Sequence, residues 1–130
     1  MVSIKGLSRI VQSNIGLSKP RQKCLSAMIM GIVQARTVNL KRVCQSCSCG
    51  GLASSWYRRM QRFFAEVDFD FRKLAKYLLS LFKDPNEKVF LTMDRTNWQY
   101  GDKDINILMV GAVYKGIAIP IVWEILDKRG

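Results

Sequence analysis

Histidine is absent from the chain, and residues 1–65 contain neither aspartate nor glutamate. The missing acids make the charge lopsided. Residues 1–65 hold eleven Lys and Arg, whereas residues 66–130 hold ten basic and ten acidic side chains, so the whole net charge of +11 belongs to the first half. A half of that kind suits a polyanion, because Lys and Arg displace condensed counterions from a phosphate backbone. A membrane surface is the competing partner. Long apolar runs are also lacking: residues 105–126 come nearest, but Lys115 and Gly116 divide them and Pro120 follows, which reads as two strands rather than a membrane span. The start, Met1-Val2-Ser3-Ile4-Lys5-Gly6, has no continuous apolar core before a small-residue cleavage site, so a cytoplasmic location and no membrane partner are expected. Internal repeats, low-complexity tracts and heptads are missing as well.

Cysteines are few and unevenly placed: Cys24 stands alone, while Cys44, Cys47 and Cys49 form a Cys-x-x-Cys-x-Cys cluster. Without secretory features, thiols or metal ligands are expected ahead of disulfides. A zinc site needs four ligands, and a second Cys-x-x-Cys knuckle and any histidine are absent. Reduced thiols in a small-residue loop, Cys44 to Gly51, are therefore the expectation, with zinc behind it.

What is present divides into helical and strand-like stretches. Residues 1–17 read as an adaptable basic lead-in with a weak helical face of Ile4, Leu7, Ile10 and Val11. Ser18 is placed to cap a helix over about 19–36, with Pro20 in its first turn and Leu25, Met28, Ile29, Ile32 and Val33 forming a core stripe. Thr37 or Asn39 starts a short helix ending near Val43. Ser54 or Ser55 caps a third, whose inward face is Trp56, Met60, Phe63, Phe64 and Val67 and whose outward face carries Arg58, Arg59 and Arg62. Three arginines opposite an aromatic face, after a short helix and a glycine-containing turn, match what a helix-turn-helix recognition element offers to a DNA groove. A solvated basic face is the plain alternative, but ordinary solvated faces mix signs. Asp68 or Asp70 caps a further helix with Phe71, Leu74, Ala75, Leu78, Leu81 and Phe82 in register, and Asp84-Pro85-Asn86 ends it. A boundary is thus expected near 83–87.

Beyond it the pattern is β: Lys88–Asp94, Ile105–Val113 and Ile117–Ile125, the last two joined by a hairpin at Tyr114-Lys115-Gly116. The first run reads as a buried strand ending in Asp94, where open α/β sheets place their chemistry. A carboxylate there suits a divalent metal, although a magnesium site for phosphoryl transfer needs carboxylate partners. Asp102, Asp104, Glu124 and Asp127 are the ones available, and none has an evident reason to converge on Asp94.

The run Leu91-Thr92-Met93-Asp94-Arg95-Thr96-Asn97-Trp98, with Gly101, Ile105-Asn106-Ile107-Leu108-Met109, Tyr114-Lys115-Gly116, Pro120 and Trp123, closely resembles bacterial insertion-sequence transposases of the DDE type, the insertion-sequence four group. Leu17-Ser18-Lys19-Pro20-Arg21-Gln22-Lys23 and Tyr57-Arg58-Arg59-Met60-Gln61-Arg62-Phe63-Phe64 resemble the amino-terminal DNA-binding region of such proteins. The resemblance implies an α+β chain: a helical DNA-binding region over 1–83, then, over 88–130, the first three antiparallel strands of an incomplete ribonuclease-H-like domain. It implies that Asp94 is the first catalytic aspartate and a ligand of magnesium or manganese, that Arg95 and Asn97 position the DNA strand, and that Trp98 packs. The family's second aspartate and its glutamate lie downstream of the hairpin, and the sequence ends at Lys128-Arg129-Gly130. The expectation is therefore a transposase fragment that binds transposon-end DNA, is inert alone, holds the metal loosely, and self-associates through an unprotected sheet. The alternative is a non-enzymatic helix-turn-helix protein that competes with or regulates transposition.

Overall fold

The computed structural model describes residues 4–47, 50–82 and 88–126. The chain is α+β: among the described residues five helices, α1 (Ile4–Ile15), α2 (Lys19–Ala35), α3 (Leu40–Ser46), α4 (Ala53–Glu66) and α5 (Phe71–Phe82), precede three strands, β1 (Phe90–Tyr100), β2 (Lys103–Tyr114) and β3 (Ile117–Leu126). Contacts divide it between Asp70 and Phe71. By this division α5 groups with the strands, earlier than the change of periodicity at 83–87 suggests.

The first unit is built on the apolar stripes of α2, α3 and α4. Cys24, Ala27 and Met28 of α2, Val43 and Cys44 of α3, and Trp56, Met60 and Phe63 of α4 form one buried cluster. Each large side chain in it contributes on the order of 2 kcal/mol by leaving water. Two local features fix the approach of the helices. Gly31 lets α2 lie against α3: a Cβ there would stand 2.7 Å from Val43 Cγ1 and 2.8 Å from the Val43 carbonyl oxygen. Asn39 caps α3, its Oδ1 accepting from the Arg42 amide at 3.2 Å, which satisfies one orphan donor of the first turn.

Within the lead-in, Ile4–Ile15 form a helix. Val11 of α1 is buried, and the Ser8 hydroxyl donates to Ser26 Oγ (3.0 Å), which in turn donates to the Gln22 carbonyl (2.8 Å). This relay lets α1 cover a polar spot on α2 without stranding a donor. Ser18 does occupy the cap position of α2, but its hydroxyl makes no cap bond, and the Gln22 side chain instead donates to the Leu17 carbonyl. Further departures from the sequence reading have similarly local causes. Helix α3 continues through Cys44 to Ser46, because Val43 and Cys44 are core residues. Helix α4 starts before Ser54: Leu52 is its cap, and the entry is held by the Trp56 indole donating to the Gly50 carbonyl at 2.8 Å. Phe64 lies off the inward face and is 66% exposed.

In the second unit the strands form an antiparallel meander of order β1-β2-β3. Tyr100 pairs with Lys103 across Gly101-Asp102, and Tyr114 pairs with Ile117 across Lys115-Gly116. The second loop has positive φ at both positions, 50° and 79°, as a type I′ turn requires. The hairpin expected there is present. A bulge follows Val110: that residue pairs with Val122, Gly111 pairs with Pro120, and the extra residue, Ile121, is buried. Pro120 is tolerated because β3 is an edge strand with a bulge at that point. Helix α5 is anchored to the sheet by Phe71 on Trp123 (ring centroids 6.1 Å apart) and Phe82 on Tyr114 (5.3 Å).

Two expectations about β1 fail. The strand does not end at Asp94; it runs six residues further, to Tyr100, paired with β2 throughout. Nor is it buried: Phe90, Leu91, Met93, Trp98 and Tyr100 are all exposed, Met93 to 69%. As an edge strand it has neighbours on one side only.

Candidate functional site

The outer surface of α4 carries three of the eleven basic side chains of residues 1–65. Trp56, Met60 and Phe63 take the core side, so the 3.6-residue period turns Ser54, Arg58, Gln61 and Arg62 outward, and all four are exposed. Arg59 lies on the flank, its guanidinium 5.2 Å from the centre of the Trp56 ring, a stacking contact that steadies the side chain. The sequence-predicted trio Arg58, Arg59 and Arg62 is thus exposed on one helix, although not on one strip of it.

Two depressions flank α4, and they differ in charge. Between α2 and α4 lies a groove lined by Arg21, Arg59 and Arg62 together with Glu66, whose carboxylate stands 3.9 Å from the Arg21 guanidinium. Between α3 and α4 lies a larger cleft, about 480 Å³, lined by Lys41, Gln45, Ser54, Tyr57, Arg58 and Gln61 over a floor that includes Cys44. Among the described residues, no carboxylate lines this second cleft. Lys41, Tyr57 and Gln61 were not assigned to a site from the sequence, although Tyr57 and Gln61 stand in the run that resembles a DNA-binding region; their spacing of four puts both on the same side of α4. The link between α3 and α4, Cys47 to Leu52, has six residues, longer than the three or four of a compact helix-turn-helix.

The cysteines correct the expectation of reduced thiols throughout. Cys47 is disulfide-bonded, and Cys24 and Cys44 are buried free thiols. Burial pushes both thiols above their ordinary range, and the nearby Arg59 charge offsets only part of the effect at Cys24. Protonated, buried thiols do not act as ready metal ligands. Cys49 lies outside the described residues, among which no cluster of three or more His, Cys, Asp or Glu side chains occurs.

Asp94 sits in the middle of β1, exposed, opposite Met109. The register explains why the nearby acids do not join it. Side chains alternate along a strand, so Asp94, Met109 and Trp123 share one face, while Arg95, Leu108 and Glu124 share the other. Asp104 pairs with Gln99, also on the face opposite to Asp94 and about 17 Å along the strand from it. Asp102 lies in the hairpin loop, and Asp127 falls outside the described residues. Of the polar residues beside Asp94, Arg95 and Asn97 share the second face, and Asn97 pairs with the buried Asn106. One carboxylate, with water filling the remaining positions, is a weak magnesium ligand set.

Compared with known family models, curated proteins and solved structures, the chain matches none. No helix among the described residues is long and apolar enough to cross a membrane.

Proposed function

We propose that the chain is a DNA-binding protein of the insertion-sequence transposase kind, in which α1 to α4 grip transposon-end DNA and the strand unit carries one carboxylate, Asp94, of a two-metal ribonuclease-H-like site. The observation that carries the reading is the outer surface of α4: Arg58 and Arg62 stand outward with Ser54 and Gln61, on a helix locked by Trp56, Met60 and Phe63, in a segment without acids before Glu66. Arginine with serine and glutamine is a donor set suited to phosphates and to base edges in a major groove. The transposase part rests on the Asp94-Arg95-Thr96-Asn97-Trp98 motif. Asp94 would be one ligand of metal ions that would supply activation of a nucleophile and neutralisation of a leaving oxygen, whereas Arg95 and Asn97 stand on the opposite sheet face and these strands give them no place beside it.

One observation favours the non-enzymatic alternative for these 130 residues acting alone. Glu124 and Asp104 occupy the sheet face opposite to Asp94, so the strands do not bring a second carboxylate to it. The chain by itself then binds DNA without cutting it, as a competitor or regulator of transposition does. The test is footprinting on inverted-repeat end DNA and on a scrambled duplex, with magnesium and manganese present. Protection of the end sequence without nicking is expected. Equal binding to both duplexes removes the transposon-end part, and metal-dependent nicking lost on Asp94→Asn removes the claim of inertness.

A further inference from the structure

The two depressions beside α4 are unequal as anion sites, and the inequality assigns different work to arginines that the sequence groups together. Arg59 and Arg62 border a groove that already contains a carboxylate, Glu66. Arg58 borders the α3–α4 cleft, where the opposite wall supplies Lys41 and no acid intervenes. The cleft's remaining polar groups, from Ser54, Tyr57 and Gln61, include hydroxyl and amide donors. Lys41 and Arg58 are exposed at its rim, so an anion reaches them without prior opening of the fold.

We infer that the α3–α4 cleft is a phosphate seat in which Lys41 and Arg58 together hold one backbone phosphate of duplex DNA. The inference rests on the DNA-binding reading and goes beyond it: Lys41 becomes a contact residue, and Arg58 becomes a positioning residue that fixes register, leaving base discrimination to Arg62 and its neighbours. A guanidinium and an ammonium on facing walls suit a single phosphate, the first as a fork and the second as a point charge. Phosphate contacts of this kind set orientation and carry no sequence information directly.

Fluorescence anisotropy with an end-sequence duplex and a scrambled duplex, over a series of salt concentrations, tests it in the full chain. Lys41→Gln and Arg58→Gln are each expected to weaken binding to both duplexes alike while changing the slope of log affinity against log salt by less than one count, because the remaining cation still faces the phosphate. The double variant is expected to shrink the slope by about 1, near the 0.9 that one phosphate contributes, and Arg58→Lys is expected to keep the wild-type slope. Thermal melting of all four variants should match wild type, since both positions are at the surface. Four results overturn the inference. A slope unchanged in the double variant removes the seat while leaving DNA binding intact. A double variant that loses two counts shows two separate phosphates. An Arg58→Gln variant that loses preference for the end sequence at constant slope makes Arg58 a base reader. Wild-type protein that binds neither duplex overturns this inference and the DNA-binding reading together.

Discussion

Gly31→Ala sets two physical effects of opposite sign against each other. In a helix interior alanine is favoured over glycine by about 1 kcal/mol, so an α2 free of neighbours gains stability from the change. In the folded chain the new methyl would lie 2.7 Å from Val43 Cγ1 and 2.8 Å from the Val43 carbonyl oxygen, whereas ordinary contact begins at 3.4 Å. Helices α2 and α3 must therefore part by roughly 0.6–0.7 Å, and the backbone oxygen has no rotamer with which to escape. Val43 is fully buried, so parting also loosens its packing in the buried cluster of α2, α3 and α4. Overpacking of this kind costs about 1–3 kcal/mol. Since the closest contacts include backbone, the upper part of that range applies, and the net expectation is a loss of about 1–2 kcal/mol. Urea unfolding followed by helical circular dichroism measures it: with a slope of about 1–3 kcal/mol/M, the midpoint falls by roughly 0.5–1 M at unchanged slope. In a Val43→Ala background the side-chain clash disappears and the carbonyl clash remains, so the penalty shrinks without vanishing. A Gly31→Ala protein as stable as wild type, or more stable, refutes the close approach of α2 and α3.

Other expectations concern separate parts of the chain. Lys115 holds φ 50° in the β2–β3 turn, a region that asparagine enters at less cost, so Lys115→Asn should raise the stability of the strand unit by about 0.5–1 kcal/mol, read as a higher denaturation midpoint by tryptophan fluorescence; a lower midpoint contradicts the turn assignment. Cys24 and Cys44 have thiols raised above 9.0 by burial, so the folded chain keeps protons that the unfolded chain releases. Their contribution is complete below pH 9 and is lost as pH rises through the folded values; the Cys24→Ala/Cys44→Ala variant should therefore show a flatter decline above pH 9, and an identical decline contradicts the assignment. Leu91→Lys and Met93→Lys place charge on the exposed edge strand β1 and should lower self-association in sedimentation measurements, whereas unchanged association excludes that edge as the contact.

Much of the fold is legible because local chemistry and tertiary packing agree. Pro20 in the first turn and Asn39 as a cap specify α2 and the start of α3 closely, but of the expected stripe Leu25, Met28, Ile29, Ile32 and Val33 only Met28 is buried and Val33 is 65% exposed, because α2 turns Cys24, Ala27, Met28 and Gly31 inward. Lys115-Gly116 likewise announces its hairpin. The misreadings arise where pairing or packing overrides local preference. Asp94-Arg95-Thr96-Asn97 looks like a strand end because charged and amide side chains favour turns, yet β2 supplies a partner for each residue as far as Tyr100. Trp98 and Tyr100, both strand-favouring, were the available signal. At α4 the serines suggest a cap, but the Trp56 indole already holds the Gly50 carbonyl and moves the start to Ala53. Of the candidate site, the exposure of Arg58, Arg59 and Arg62 follows from periodicity alone. Their division between an acid-containing groove and an acid-free cleft does not, because it depends on how α2 and α3 pack beside α4.

The central claim is that α4 and its surroundings bind nucleic acid through phosphate neutralisation. The most direct measurement is the salt dependence of duplex affinity for the wild-type chain and for Arg58→Gln/Arg59→Gln/Arg62→Gln. A steep fall of affinity with salt, and a triple variant with weaker binding and a smaller slope, is the expected result, each lost phosphate contact removing about 0.9. A wild-type affinity indifferent to salt, or a triple variant that binds as wild type does, contradicts the account.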